Sequence, residues 1–179
     1  MAWFRRRRAG SEPVPEPPAA ERRAPERRQL PDPGDTLVGD GAALQPVVDA
    51  VPSQDRARIE AAVAALEADG VDLDDLDSIG AALDAAYRTW ESAPLGARPD
   101  HAAIVERFAM GIGTHLDRHT DLDWQVVTDV FGTDLALTEG SRGAFVVVPH
   151  NLVAGRWMRG ETGWVPAVAG HIVKRRSRR

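Results

Sequence analysis

Cysteine is absent from the 179 residues of this chain. Its absence excludes a disulfide framework, a thiolate nucleophile and every zinc or iron–sulfur site that relies on cysteine. Stability must therefore come from a packed core, and 43% hydrophobic residues are enough to form one.

Long apolar runs are also missing. The longest clear one, residues 144–148, ends at Pro149, whereas a membrane helix needs roughly 18 apolar residues. The basic start of the chain continues into Gly10-Ser11-Glu12-Pro13, where a secretory signal peptide requires an apolar segment. We therefore expect a cytoplasmic protein.

The usual catalytic and cofactor motifs are lacking too. The sequence has no Gly-Lys-Ser/Thr phosphate loop, no Gly-x-Gly-x-x-Gly after a strand and no Gly-x-Ser-x-Gly elbow. Gly111 and Gly113 fall within a helical pattern, where they suggest the close approach of another backbone rather than a nucleotide site. The sequence thus predicts no catalytic residue, no metal ligand and no cofactor, and it favours a protein that is not an enzyme.

Charge divides the chain into three parts. The net charge of −5 combines +3 over residues 1–33, −13 over residues 34–173 and +5 over residues 174–179. Seven of the 13 prolines lie in residues 10–33, where little apolar surface is available to offset the entropy of ordering. We predict a disordered basic, Pro-rich tail over 1–33, one domain over 34–173 and a basic C-terminal tail over 174–179.

Helices are predicted in the first half of this domain. Apolar residues at helical spacing indicate helices over 54–69, from Asp74 to Trp90, and from residue 101 to about residue 118. Ser53 and Asp100 are expected to cap the first and third of these helices. Residues 34–51 give no clear element, although their valines can pack on a core.

The apolar pattern then changes to a period of two. Alternation from Trp124 to Val130 predicts a strand, Phe131–Asp134 a hairpin turn and Leu135–Thr138 the return strand. The run 144–148 predicts a third, well-covered strand. Two further helices are expected, at Asn151–Arg159 and Trp164–Lys174. The pattern indicates an α+β fold, with helices packed on one face of a small three-stranded antiparallel meander.

Short motifs resemble one bacterial family. They are Met110-Gly111-Ile112-Gly113, Leu122-x-Trp124-x-Val126, Asp129-x-x-Gly132 with Ala136-Leu137, Val148-Pro149, and Arg156 with Gly160-Glu161. Over residues 75–174 the chain resembles the domain-of-unknown-function 3806 family. The resemblance implies a small α+β fold, and the family has no established activity to carry over.

Asp129, Arg156 and Glu161 are the candidate ligand-binding residues. The structural interpretation, which we favour, is an ion pair between Asp129 on a strand and Arg156 on a helix. The functional interpretation is a ligand carboxylate or phosphate held by Arg156. An enzymatic alternative uses Asp129, His150 and Arg156, or a triad of Ser141, His150 and Asp129.

Two clusters have the residue types of metal sites. His115 and His119 have the i, i+4 spacing of metal ligands, but Leu116 stands where zinc proteases have glutamate. The carboxylates of residues 72–77 lack the glycine bend of a calcium loop. Helix-terminus electrostatics explain both clusters better, because acids suit the start of a helix and histidines suit its end.

The N-terminus combines two large aromatic residues with four arginines. These residues are Trp3, Phe4, Arg5, Arg6, Arg7 and Arg8. Aromatic rings favour the bilayer interface and arginines attract anionic headgroups, but arginines neutralise nucleic-acid phosphates equally well.

Three functions follow from these observations. The first is a non-enzymatic cytoplasmic binding or adaptor domain, tethered to the anionic inner face of the membrane by its N-terminus. The second is a nucleic-acid-associated protein that uses its basic tails, and the third is the enzyme outlined above. The sequence favours the first, with an anionic membrane surface, a nucleic acid or a protein as partner.

Overall fold

Five helices and a four-stranded antiparallel sheet make up the part of the chain that the structure describes. The computed structural model describes residues 46–140 and 145–177, which belong to a unit spanning Asp40–Arg179. The elements in chain order are β1 (Val47–Ala50), α1 (Ser53–Ala68), α2 (Leu76–Ser92), a 3-10 turn (Leu95–Ala97), α3 (His101–His119), β2 (Asp123–Asp129), β3 (Gly132–Thr138), β4 (Val146–Val147), α4 (Pro149–Met158) and α5 (Val165–Arg176). The predicted tail 1–33 lies outside the described residues.

The sheet has four strands, so the prediction of three strands was wrong. Its order is β1-β2-β3-β4, and each neighbouring pair is antiparallel. The additional strand β1 pairs with β2 from Val47 opposite Thr128 to Ala50 opposite Gln125. Because β1 has only four residues and Val47 is 58% exposed, it shows no alternation that reveals a strand in the sequence.

The hairpin between β2 and β3 turns two residues earlier than predicted. Asp129 pairs with Gly132, so the turn is Val130-Phe131 and not Phe131–Asp134. The Asp129 carboxylate accepts a hydrogen bond of 2.7 Å from the Phe131 amide, and Gly132 has φ of 142°, a conformation that favours glycine. The local side-chain bond therefore places the turn, and β3 begins at Gly132.

The third predicted strand, over 144–148, is shorter and less covered than expected. β4 consists of Val146 and Val147 alone, paired with Thr138 and Leu137. Val147 is buried, but Val146 is 37% exposed because β4 is an edge strand. Residues 141–144, which include Ser141, lie outside the described part.

The helices agree with the sequence in number and differ at their ends. Asp100 caps α3 as predicted, accepting from the Ala102 amide at 3.0 Å. Ser53 is the first residue of α1 and not its cap, which is Pro52. α4 begins at Pro149 rather than after Asn151, since proline suits the first turn. α5 continues to Arg176, so three bases of the predicted C-terminal tail are helical.

Helix α3 is the centre of the core. It contacts all four other helices, α1, α2, α4 and α5, and also the strands β2 and β3. Its residues from Phe108 to Leu116 are all buried, because packed elements surround this part of the helix. Trp124 on β2 and Leu137 on β3 are paired neighbours that pack toward α3, which places the indole at the junction of helices and sheet.

Within the described ranges, no helix has both the length and the apolar composition needed to cross a bilayer.

Candidate functional site

Arg156 and Glu161 lie together, whereas Asp129 is elsewhere in the fold. Nε of Arg156 is 3.6 Å from Glu161 Oε2, and Nη1 donates to the Leu152 carbonyl at 3.1 Å. The Arg156 guanidinium also lies 4.7 Å from the centroid of the Trp164 ring. The expected ion pair of Asp129 and Arg156 is therefore not formed, because Asp129 is used in the hairpin turn.

Glu161 is shared by two arginines. Arg159 donates to its carboxylate, and this hydrogen bond is the main reason why the pKa of Glu161 lies below its usual range. The Glu161 amide donates in turn to the Arg156 carbonyl at 3.0 Å. The cluster fastens the end of α4 to the segment before α5. A ligand role for Asp129, Arg156 and Glu161 stays a prediction.

Among the residues of the predicted enzymatic site that the structure describes, no hydrogen bond joins one to another. His150 is the exposed second residue of α4, and no hydrogen bond joins it to Asp129 or Arg156, both of which are described. Ser141 lies outside the described residues, as do Trp3, Phe4 and Arg5 to Arg8.

His115 and His119 both have protein partners. Because a carbonyl and a carboxylate can only accept, Nδ1 of His115 donates to the Leu73 carbonyl at 2.8 Å, and Nε2 of His119 donates to Asp74 at 3.0 Å. Burial lowers the pKa of His115, and the hydrogen bond from His119 lowers the pKa of Asp74. The pair thus joins the end of α3 to the loop before α2. Across residues 46–140 and 145–177 no group of three or more potential metal ligands converges.

A cavity of about 230 Å³ lies where α1, α3, β3 and α4 meet. We call it the His150 cavity. Its apolar lining residues are Ala109, Met110, Trp124, Leu135 and Pro149, and its polar ones are Arg58, Thr133, Asp134 and His150. The guanidinium of Arg58 already pairs with Asp55 at 2.6 Å and with Glu106, so its charge is compensated.

A second cavity, of about 320 Å³, lies between α1, the end of α3 and the start of β2. We call it the Glu60 cavity. Its lining residues are Val51, Arg56, Ile59, Glu60, Asp117, Asp123 and Trp124. Trp124 lines both cavities, and its indole Nε1 is buried without a hydrogen-bond partner among the described residues. Trp124 is therefore the residue that the two cavities share.

Residues 83–167 match the family model described as Domain of unknown function (DUF3806). We call residues 83–167, which are similar to this family, the DUF3806 region. The match confirms the family resemblance drawn from the sequence. No curated protein and no solved structure matches the chain significantly.

The DUF3806 region supplies only part of each cavity. It contains Trp124 and the lining residues from α3, β2, β3 and α4, whereas β1 and α1 precede it. Arg58 of the His150 cavity and Glu60 of the Glu60 cavity are both on α1. The cavities are thus formed where the DUF3806 region meets a helix that lies outside it.

Sequence reasoning missed most of the residues that line these cavities. Arg58, Glu60 and Asp134 have no motif around them and look like ordinary polar residues of a helix or strand. Two lining residues were signalled by the sequence. His150 was named in the enzymatic alternative, and the alternation around Trp124 indicated a side chain directed toward the helices.

Proposed function

We propose that this chain is a binding or adaptor domain without catalytic activity, and that a ligand or partner docks at the two cavities beside Trp124. The observation that carries the proposal is the shared position of Trp124 in both cavity walls. Binding sites are typically concave and largely apolar, with a few polar groups that fix orientation. The His150 cavity is concave and mixed in character, with five apolar and four polar lining residues.

An unused hydrogen-bond donor supports the same proposal. Buried donors are almost always satisfied, because an unpaired one costs about 1–3 kcal/mol. Trp124 Nε1 is such a donor, as is Trp157 Nε1. Because Trp124 Nε1 is shielded from solvent, a ligand that accepts its hydrogen bond must displace the side chains that cover it.

The polar groups favour binding over catalysis. A nucleophile and a general base must be within hydrogen-bond reach of each other. Arg58 is committed to Asp55 and Glu106, and His150 has no carboxylate partner among the described residues to orient it as a base.

A thermal-shift screen of the full chain tests the proposal. Ligands that bind the native state raise its melting temperature by mass action, so we would screen amino acids, dipeptides, nucleotides, metal ions and lipid headgroups. Hits should weaken in His150→Ala and Asp134→Asn, which alter the His150 cavity. They should persist in His171→Ala, an exposed histidine on α5 that lines neither cavity. Hits that are unaffected by both cavity variants, or that the protein converts chemically, would contradict it.

The tether remains the second component of the proposed function. We propose that Trp3, Phe4 and Arg5 to Arg8 hold a cytoplasmic protein at the anionic inner face of the membrane. The arginines attract headgroups and the two aromatic rings add interfacial contact. The charge of −13 over residues 34–173 opposes contact between the domain itself and the same surface.

Cosedimentation with vesicles tests the tether. The full chain should bind anionic vesicles and not neutral ones, less at 1 M salt than at 0.1 M, because the Debye length falls from about 10 Å to about 3 Å. Deleting residues 1–9 should abolish most binding, and replacing Arg5 to Arg8 with Gln should weaken it. Equal binding to both vesicle types contradicts the tether, and salt-sensitive binding to DNA alone would favour the nucleic-acid alternative.

A further inference from the structure

The two-residue turn between β2 and β3 consists of apolar residues that are exposed to solvent. Val130 is 69% exposed and Phe131 is 93% exposed, and we call this pair the hairpin tip. Turns are dominated by Gly, Pro, Asn, Asp and Ser, which adopt turn conformations easily or bond to the turn backbone. A β-branched residue followed by an aromatic one does neither, so the turn conformation does not explain this pair.

The core does not explain the hairpin tip either. Within the described part of the chain, neither Val130 nor Phe131 belongs to the core or packs against it, and neither lines the His150 cavity or the Glu60 cavity. Their apolar surface stays in water, which is unfavourable, and burying it in an interface would recover that free energy. The hairpin tip therefore has the surface of a contact residue without a contact inside the protein.

The hairpin holds its tip in a fixed position. The Asp129 carboxylate accepts a hydrogen bond of 2.7 Å from the Phe131 amide. Directly below the turn, the hydroxyls of Thr128 and Thr133 hydrogen bond to each other at 2.9 Å, and the strands are paired along their full lengths. Because the tip is already ordered, little conformational entropy is lost when it binds.

The surface beside the hairpin tip is acidic. Asp129 pairs with Gly132, and Asp134 pairs with Val127, so both carboxylates lie on the same face of the hairpin just below the turn. Neither β2 nor β3 contains a lysine, arginine or histidine, and the ion pairs of the described residues include neither Asp129 nor Asp134. An apolar tip beside carboxylates is complementary to an apolar pocket with a basic rim, whereas an anionic bilayer repels the same carboxylates.

We propose that the hairpin tip is a docking site for a partner protein, and that Phe131 enters an apolar pocket whose rim carries lysine or arginine. Aromatic side chains are enriched at the centres of interfaces, and the few residues that fill pockets there contribute most of the binding free energy. The inference goes beyond the proposed function, because it assigns a surface separate from the two cavities.

Fluorescence anisotropy with the full chain and two labelled amphipathic helical peptides tests this inference. One peptide has a leucine face flanked by lysines, and the other has the same leucine face flanked by glutamates, so only the first presents the proposed chemistry. The full chain should bind the Leu/Lys peptide and not the Leu/Glu peptide. Phe131→Ser should weaken this binding about tenfold, the effect of losing one aromatic anchor.

Two further variants separate the tip from its surroundings. Asp129→Asn removes one charge but keeps an oxygen that can accept from the Phe131 amide, and it should weaken binding about twofold, as expected for one exposed charge. Leu95→Ser is the control, because Leu95 is 84% exposed in the 3-10 turn, and it should leave the affinity unchanged. All three substituted residues are exposed, so the thermal unfolding of each variant should match that of the parent protein.

Four results would overturn the inference. They are no binding of the Leu/Lys peptide, equal binding of both peptides, an unchanged affinity in Phe131→Ser, and an equal loss in Leu95→Ser. Cosedimentation with anionic vesicles covers the lipid alternative: Phe131→Ser should bind them as the parent does, and a loss of binding would assign the tip to lipid. Because Val130 and Phe131 line neither cavity, none of these results changes the ligand screen, so failure of this inference is distinct from failure of the proposed function.

Discussion

Trp124 on β2 packs against Gly113 on α3 so closely that a Cβ at position 113 would overlap Cζ2 and Cη2 of the indole. Pro149 at the start of α4 closes the other side, with Cγ 3.1 Å from the same Cβ position. The glycine lets β2, α3 and α4 meet at one point. The sequence interpretation expected a backbone to approach these glycines, but the neighbours are side chains: Trp124 at Gly113 and Leu66 at Gly111.

Gly113→Ala should destabilise the protein by about 1–3 kcal/mol, the usual cost of overpacking. The rigid ring and the proline cannot both move away, and this strain outweighs the roughly 1 kcal/mol by which Ala favours a helix over Gly. Urea unfolding measures the change. Gly96→Ala is the control, because nothing lies within 4 Å of its Cβ position. Equal stabilities of the two variants would contradict the packing described here.

Trp124→Ala should cost about 3 kcal/mol of unfolding free energy, the lower end for a core tryptophan, because the ring is packed against the core but only half-buried. Phe131→Ala is the matched control. Phe131 is 93% exposed at the hairpin turn, so its loss should change stability by no more than roughly 0.5 kcal/mol. An unchanged melting temperature for Trp124→Ala would contradict the core position of the indole.

Elements specified by nearby residues were predictable from the sequence. The Asp100 cap and the apolar spacing within α3 are local signals, and they located that helix to within a residue. β1 depends on pairing with β2, whose partner residues are 75 to 81 positions further along the chain by its register, and four residues are too few to show a period. The hairpin turn depends on one hydrogen bond that the Phe131 amide donates to the Asp129 carboxylate, which composition does not reveal.

The candidate site was less predictable than the fold because its residues are brought together by contacts between distant parts of the chain. Arg156 and Glu161 were singled out together with Asp129, but only these two meet, because just the end of α4 lies between them. Arg58 and Asp134 line one cavity only after α1 has packed against α3. Nothing in their own sequence neighbourhoods distinguishes them from other surface charges.

The stability of the protein should fall as the pH decreases from about 7 towards 5, and His115 should account for part of the fall. Burial lowers the pKa of His115 in the folded state, whereas the unfolded chain takes up this proton near pH 6.5. Between these two pKa values the unfolded state binds more protons than the folded state, so the unfolding free energy rises with pH. The contribution of His115 to stability is fully present above about pH 6.5 and is lost as the pH falls.

Urea unfolding at pH 5, 6, 7 and 8 checks this prediction. His115→Gln should lower stability at every pH and reduce the slope between pH 5 and 7, because glutamine does not titrate. Asp74 does not interfere with this measurement. Because its pKa is lowered in the folded state, its contribution to stability is lost only below about pH 4. A slope that is unchanged in His115→Gln would contradict the assignment.

Arg176 should stabilise the protein although it lies in the basic segment predicted to be a tail. Its guanidinium donates to both oxygens of Asp121, at 2.8 and 2.9 Å, and lies 2.7 Å from a Glu139 oxygen. Its carbonyl accepts from the Asp121 amide at 3.0 Å, and its guanidinium is 5.3 Å from the centroid of Phe145. The end of α5 is thereby fastened to the segment before β2 and to the end of β3.

Arg176→Ala should therefore lower the urea midpoint clearly, whereas Arg175→Ala should leave it unchanged. Both variants remove one positive charge from the last turn of α5, so the comparison cancels the effect of charge at the helix end. Arg175 is exposed and lacks the bidentate geometry that makes an arginine–carboxylate pair specific. The difference should shrink at 1 M salt, where exposed ion pairs are screened. Equal midpoints for the two variants at low salt would show that the contacts of Arg176 do not contribute to stability.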